Sequence, residues 1–279
     1  MAALVSIVVP VFNGERYLEP LIEALIKQDY PHLEFLFSDG GSTDSSMSIL
    51  SSVSDPRVRI IQQPAGASAA DNWSAVTLKA EGEFTKLVCQ DDFIKSDTIT
   101  RQVADLIEFP SAVMAVGQRD IIDASGAVVY APRGLSGVHA RVLSGTDALQ
   151  ACYRSGTNVI GEPLAVLFRA DALKAVMPWD DSNPLMLDLN TYTRLAPLGD
   201  VVLRHESVGA SRASAHSWST RSAREQHQQT RLWQEQFAAS GQTVLSRGDH
   251  VRGWLGRHTQ VNVRRAAYLT LRVRGRLNR

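Results

Sequence analysis

Hydrophobic and polar positions follow two rhythms along this chain. Residues 4–12 form a nearly continuous apolar run rich in β-branched side chains, the pattern of a strand buried on both faces of a parallel sheet. Pro10 should mark the exit of that strand into a loop, because proline cannot extend a central ladder. Leu18, Leu21, Ile22 and Leu25 then recur at helical spacing until Tyr30-Pro31 stops them. Residues 33–38 predict a second strand, and Asp39-Gly-Gly-Ser-Thr-Asp44 predicts a tight strand-to-helix turn capped by Ser42, Thr43 or Asp44. A strand over 58–62, a helix over 68–80 and a strand over 84–89 continue the rhythm, so the first third reads as half of a doubly wound α/β domain.

The second half is less regular. The spacing predicts a helix over 97–108, capped by Ser96 or Asp97, and a strand over 112–117. Two further strands flank residues 123–126 as a hairpin. A short helix over 147–153, a strand over 164–168, a helix near 187–198 and a strand over 201–204 complete the expected core. A polar helix over 219–239 follows, with Leu232, Trp233 and Phe237 as its apolar contacts. In the tail, Trp254, Val261 and Tyr268 recur every seven residues, yet Arg265 and Arg272 fall near the same face.

Composition adds limits. With 279 residues, 44% hydrophobic and 21% charged, the chain can bury a sizeable core. No stretch approaches the ~20 apolar residues that span a bilayer, and residues 2–11 read as a core strand and not as a signal peptide. Cys89 and Cys152 fall in different elements and read as small core residues, which suits a reducing cytoplasm. The net charge of zero hides an asymmetry: residues 247–279 hold nine arginines against Asp249, or +8, leaving 20 − 28 = −8 elsewhere. Such a tail should face something anionic, a membrane surface or a partner, or pack as a basic arm against the acidic body or a second subunit.

The candidate chemistry lies at strand ends. The run of residues 86–90 stops at Asp91 and Asp92, and two adjacent carboxylates at the C-terminal end of a buried strand lie where open α/β sheets hold ligands. Their mutual repulsion calls for a cation, and oxygen-only ligation favours Mg²⁺ or Mn²⁺. Asp39, at the same edge, can accept an N–H of a nucleobase or close an Asx-turn, while Pro10 to Asn13 and Gly66 can line a base with backbone. Uracil, thymine and guanine all offer such donors. An EF-hand fails at Leu50, which occupies the position that needs glutamate. Dinucleotide and P-loop fingerprints are absent.

Together, Pro10-Val-Phe-Asn-Gly-Glu15, Ser38-Asp-Gly-Gly-Ser-Thr-Asp44, Gly82-Glu-Phe-Thr-Lys-Leu-Val-Cys-Gln-Asp-Asp92 and Gly161-Glu-Pro with Leu167-Phe-Arg169 resemble the inverting family-2 glycosyltransferases of the GT-A fold, in consistent order over roughly residues 4–237. The resemblance implies an α/β fold with a mostly parallel, Rossmann-like sheet flanked by helices and a C-terminal helical extension. Residues 1–92 would bind the nucleotide sugar, 93–205 the acceptor, and 206–279 would form the extension with its basic tail. Carried over, Asp92 binds the metal, Asp91 the donor ribose or a metal-bound water, and Asp39 the base. Pro10, Phe12, Asn13, Glu15 and Gly66 line the donor, and Asp188 is the general base opening a helix. Arg212 contacts the diphosphate, His216 is a second metal ligand, and Arg133 and His139 are acceptor-loop candidates. The chain departs from the family pattern at Ser38, Leu187 and Ser214, where aspartate, glutamate and histidine are usual.

The implied reaction is a metal-assisted single displacement from a UDP- or dTDP-sugar to a hydroxyl of a glycan or lipid-linked acceptor, as in surface-polysaccharide assembly. A catalytically silent nucleotide-sugar-binding or scaffold protein is the alternative of a different class. No nucleic-acid partner is expected; a homo-oligomer is compatible. The expected location is the cytoplasm, with residues 247–279 peripheral at the inner face of the plasma membrane.

Overall fold

The computed structural model describes residues 2–135, 141–213 and 225–273. Its first half follows the expected rhythm: β1 (Val5–Val11), α1 (Glu15–Ile26), β2 (Leu33–Asp39), α2 (Ser46–Ser51), β3 (Val58–Gln62), α3 (Ala69–Leu78) and β4 (Phe84–Leu87). After the two-residue β5 (Phe93–Ile94) come α4 (Thr98–Glu108), β6 (Ala112–Ile122), β7 (Val128–Arg133), β8 (Val142–Ser144) and α5 (Gly145–Ser155). The chain continues through β9 (Val166–Arg169), α6 (Ala170–Ala175), α7 (Leu187–Leu195) and β10 (Asp200–Arg212) to two long helices, α8 (Gln226–Ala239) and α9 (Arg247–Val273).

The strands form one sheet in the order β3-β2-β1-β4-β9-β6-β10-β5, with β7 on β6 and β8 on β10. β1 to β4 are mutually parallel, β9 runs antiparallel between β4 and β6, and β6 pairs parallel with β10. Successive side chains of a strand point to opposite faces, so the sheet has two cores. Val9, Phe35, Phe37 and Phe84 meet α1 and α4 on one side. Val8, Leu36, Leu87 and Phe168 join Tyr153, Tyr192, Trp233 and Phe237 of α5, α7 and α8 on the other.

Three expectations change. Pro10 lies inside β1, paired in register with Ser38. The Val8 carbonyl accepts from Val88 N, and Pro10, two residues on, faces the same side. The ladder to β4 has ended by then, at Leu87, so the missing N–H interrupts nothing. Residues 112–122 are one strand, since its polar Gln118 and Arg119 lie within the β6 ladder. Finally, β10 continues from the expected 201–204 through Arg212, past residue 206. The polar stretch Arg204-His205-Glu206 sits where the register shifts between Leu203 and Ser207, and such irregularities break the alternation that announces a strand.

The basic tail is a helix seated on the body. Cβ atoms at Gly253 and Gly256 of α9 would meet the Tyr153 and Arg154 carbonyls at 3.0 and 2.5 Å, so the α9 backbone runs close along α5. Val261 is buried while Trp254 is 54% exposed, so these heptad-spaced residues do not share one environment. Among the described residues no helix is long and apolar enough to cross a membrane.

Candidate active site

Because β1, β2 and β4 are parallel and adjacent, the loops after them emerge at one edge of the sheet. The first two loops interlock. Asn13, held at φ 49°, donates its N–H to Ser42 Oγ at 2.9 Å and accepts from Thr43 N through Oδ1 at 2.9 Å. Gly14 N donates to Ser46 Oγ at 2.8 Å, Glu15 N to Asp44 Oδ2 at 3.1 Å, and Ser45 N to Glu15 Oε2 at 3.0 Å. The β4 loop joins through Gln90, whose side chain accepts from Phe12 N at 2.8 Å and donates to the Phe12 carbonyl at 2.9 Å. The Asn13 and Glu15 side chains thus bind the neighbouring loop, leaving Phe12, 56% exposed, at the surface.

Asp39 is 3% exposed and makes the turn at its own strand end. Its Oδ2 accepts from Gly41 N and Ser42 N at 3.1 and 3.0 Å, and its Oδ1 from Ser42 Oγ at 2.5 Å. A carboxylate has about four acceptor sites, so three bonds leave one for a ligand. Gly66, in the loop before α3, takes φ 88°, a conformation that suits glycine and lets backbone approach a ligand.

Asp91 and Asp92 follow the last turn after β4, where Asp92 N donates to the Cys89 carbonyl and Asp92 Oδ2 accepts from Cys89 N at 3.2 Å. Burial pushes both carboxyls up, Asp92 well up because Asp91 adds its charge. Arg212, at the end of β10, braces this loop: Nε donates to the Asp91 carbonyl at 3.1 Å, Nη1 to the Asp123 carbonyl at 2.9 Å, and the guanidinium lies 4.4 Å from the Tyr17 ring centre. Two of its donor nitrogens are therefore committed to backbone.

Asp188 lies in the first turn of α7 and is not its N-cap, which is Met186. Its Oδ1 accepts from Leu189 N at 2.7 Å and its Oδ2 from Asn158 Nδ2 at 2.8 Å. The same Asn158 amide donates to the Gly161 carbonyl and accepts from Gly161 N, both at 2.9 Å. One side chain thereby fixes the base candidate to the loop before Glu162. Burial, then the charge of Glu162, raises the Asp188 pKa to about 6. Burial opposes ionisation of Glu162, but the charge and hydrogen bond of Arg119, with Arg133 behind, hold it at about 2. Leu187, standing where the family has glutamate, is buried in the core, so Glu162 from another loop is the acid beside Asp188. The Cys89 thiol is pushed well up by burial and then by the charges of Asp92, Asp91, Asp188 and Glu162.

Several residues here carried no role in the sequence. Glu162 lay inside a recognised motif, and Arg119 stood out only as a charge within an otherwise apolar run; Gln90 and Asn158 had no signal. His216 and Ser214, like His139, lie outside the described residues. Among the described residues no group of three or more His, Cys, Asp or Glu could enclose a metal. The donor set still suits a divalent cation: two adjoining, largely buried carboxylates each have raised proton affinity, the condition that a bound cation would relieve.

The comparisons with known proteins agree with one another. A family profile described as Glycosyl transferase family 2 matches residues 6–176. Glycosyltransferase GlyG of Streptococcus pneumoniae serotype 4 is 36% identical over 101 residues, covering 36% of this chain and 34% of GlyG. The chain spans half or less of the length of the curated relatives it matches, with 34%, 50% and 18% covered in the leading three. The crystal structure of S. aureus TarS 1–349 in complex with UDP-GlcNAc superposes with a TM-score of 0.65 at 17% identity, over 88% of this chain and 69% of that one. The mannosyltransferase PcManGT from Pyrobaculum calidifontis, in complex with GDP-Man and Mn²⁺, gives a TM-score of 0.64 at 16% identity, over 98% and 76%. At these identities the structural likeness concerns the fold.

Proposed function

The chain belongs to glycosyl transferase family 2 and has the GT-A fold, and from that premise we propose that it transfers a sugar from a nucleoside-diphosphate sugar to a hydroxyl of a glycan or lipid-linked acceptor with inversion. The observation that carries this reading is Asp188, clamped by Asn158 and Leu189 N, whose charge acts on Cys89 as do those of Asp91 and Asp92. A carboxylate held on both oxygens keeps a spare lone pair in a defined direction, and a pKa of about 6 suits a base working near neutrality.

In this reading Asp188 takes the proton of the attacking acceptor hydroxyl while the nucleoside diphosphate leaves on the opposite side. Asp39 accepts a base N–H with its remaining site, Phe12 offers an aromatic face, and Pro10, Asn13, Glu15 and Gly66 shape the loops around it. Arg212 steadies the loop that carries Asp91 and Asp92. Those two residues are the ones that would hold Mg²⁺ or Mn²⁺, with His216 as a further candidate ligand; the ion, when bound, offsets negative charge growing on the leaving diphosphate. Residues 1–92 serve the donor and 93–205 the acceptor, with β10 carrying that half on to Arg212. The UDP-GlcNAc complex of TarS supports a UDP-sugar, with dTDP equally compatible with Asp39; the GDP-Man complex of PcManGT keeps guanine among the bases to be tested.

Thermal shift and calorimetry with UDP, dTDP, GDP and their sugars, with and without Mn²⁺, test the donor. A stabilisation that needs Mn²⁺ and is lost in Asp92→Ala is expected; equal affinity with and without the ion would remove the metal from the reading. Release of free sugar from the donor without acceptor separates an active transferase from a silent binding protein.

A second reading concerns location. Val251, Trp254 and Leu255 are exposed on α9 beside Arg252 and Arg265, a mixture that suits the surface of an anionic membrane on the cytoplasmic side, where a lipid-linked acceptor would be met. Cosedimentation with phosphatidylglycerol vesicles should fall in Arg252→Glu/Arg265→Glu, and no binding by the unaltered chain would end this reading.

A further inference from the structure

Two arginines from neighbouring strands meet beside Glu162, the acid next to the proposed base, and the charge of a third, on α9, acts on them. Arg119 on β6 and Arg133 on β7 stand opposite each other in the antiparallel register, where like charges repel. Arg119 is 0% exposed; its Nε binds Glu162, its Nη1 donates to the Arg133 carbonyl at 3.2 Å, and its Nη2 is buried with no partner among the described residues. Arg133 donates to Thr157 Oγ1 at 3.1 Å.

The third cation, Arg264, is carried by α9, and the packing of that helix explains why its charge is felt here. α5 ends at Gly156 in the left-handed conformation, φ 61°, and a Cβ at that position would lie 2.1 Å from Arg257 N. α9 is thus pressed against the start of the loop that runs through Thr157 and Asn158 to Glu162. Arg264 follows Arg257 by about two helical turns and so lies on the same side of α9. Its charge reaches Arg133, whose pKa falls to about 10 through burial first and then the charges of Arg119 and Arg264, with Glu162 opposing. Glu162 contacts Arg119 and feels the charge of Arg133, and Asp188 nearby is a carboxyl of raised pKa. Charges withdrawn from water are normally paired, and planar guanidinium forks match phosphate and carboxylate geometry.

We propose that Arg133 and Arg264, backed by Arg119, form an oxyanion-binding subsite that takes a phosphate or carboxylate of the acceptor next to the hydroxyl to be glycosylated. The inference rests on the transferase reading above and narrows its acceptor to an anionic one. Donor diphosphate is assigned elsewhere, to the edge bearing Asp91, Asp92 and the β1 and β2 loops.

The test is calorimetry on the full chain with Mn²⁺, using a glycerol-phosphate tetramer, tetragalacturonate, neutral maltotetraose and, separately, UDP. One of the two anions should bind at least about tenfold more tightly than maltotetraose, and more weakly as salt rises. Arg133→Gln and Arg264→Gln should each weaken that binding roughly tenfold, the size of one charge-assisted hydrogen bond, while UDP affinity holds. Arg264→Gln on a partly exposed helix face leaves the core intact, and its melting curve verifies the fold. Preference for the glycerol phosphate or for the uronate identifies the group recognised. Maltotetraose binding as well as both anions, failure of both anions to bind, or loss of UDP affinity in the two variants would each overturn the proposal. If the unaltered chain does not bind UDP or another nucleoside diphosphate, the transferase reading fails instead.

Discussion

The two sides of the candidate site are held together by opposite means. On the side of β1, β2 and β4, polar side chains bind loop backbone: Gln90 to Phe12, Asn13 to Thr43, Ser42 to Asn13 and Glu15 to Ser45. Each such bond is worth about 1 kcal/mol, and the loops share many. On the side of β6, β7 and α7, few groups are involved and they are charged and buried. Arg119 relies on Glu162, Asp188 relies on Asn158, and Arg119 Nη2 and the Tyr192 hydroxyl lack partners among the described residues. A redundant network tolerates the loss of one member, whereas a sparse buried one does not. The difference is one of redundancy: loop backbone on the first side is bound many times over, whereas on the second a few buried charges carry the arrangement.

This contrast can be broken most decisively at Asp188. Replacing it by asparagine should lower the transfer rate by about 10²- to 10⁴-fold with donor affinity retained; a loss under tenfold would place the base elsewhere. Arg119→Met comes next. It leaves Glu162 without its cation, and because the Glu162 side chain is 37% exposed the cost should sit at the low end for broken buried pairs, about 3 kcal/mol in denaturant unfolding. A shift near zero would show that the pair is not what steadies this side.

The pH profile sharpens the same comparison. As the proposed base, Asp188 would act only when ionised, so with its pKa raised to about 6 kcat/KM should be level above that pH and fall about tenfold per unit below it. A limb near pH 4 would mean that burial and Glu162 do not act on Asp188 as described. On the donor side the effects should be smaller. Gln90→Leu removes both bonds to Phe12 and should cost about 1–2 kcal/mol, raising donor KM more than it lowers kcat. Asn13→Ala loses the bond to Thr43 and strains the positive φ, for about 1 kcal/mol, and Asn13→Gly should recover part of it. If either donor-side change exceeds Arg119→Met in melting experiments, the contrast between the two sides is wrong.

Legibility followed the same division. The side of β1, β2 and β4, the proposed donor side, was readable because its parts are local: the apolar run of β1, the Asp39 turn and the Asp91-Asp92 strand end each announce themselves within a few residues. Even there, the side chains of Asn13 and Glu15 bind the neighbouring loop, a role that depends on two loops meeting. On the other side Asp188 was visible only by position. The Glu162, Arg119 and Asn158 that define its environment lie 26, 69 and 30 residues away along the chain.

The sequence by itself determined the alternation of strands and helices, the two faces of the sheet and the carboxylates at its edge. Those follow from hydrophobic period and turn chemistry, which act over a few residues. Only the tertiary structure decided that β10 runs to Arg212, that Glu162 stands where Leu187 cannot, and that α9 packs against the end of α5 at Gly156. Each depends on the pairing of distant segments, and the energy of a buried charge is set by neighbours in space, whatever their order in the chain.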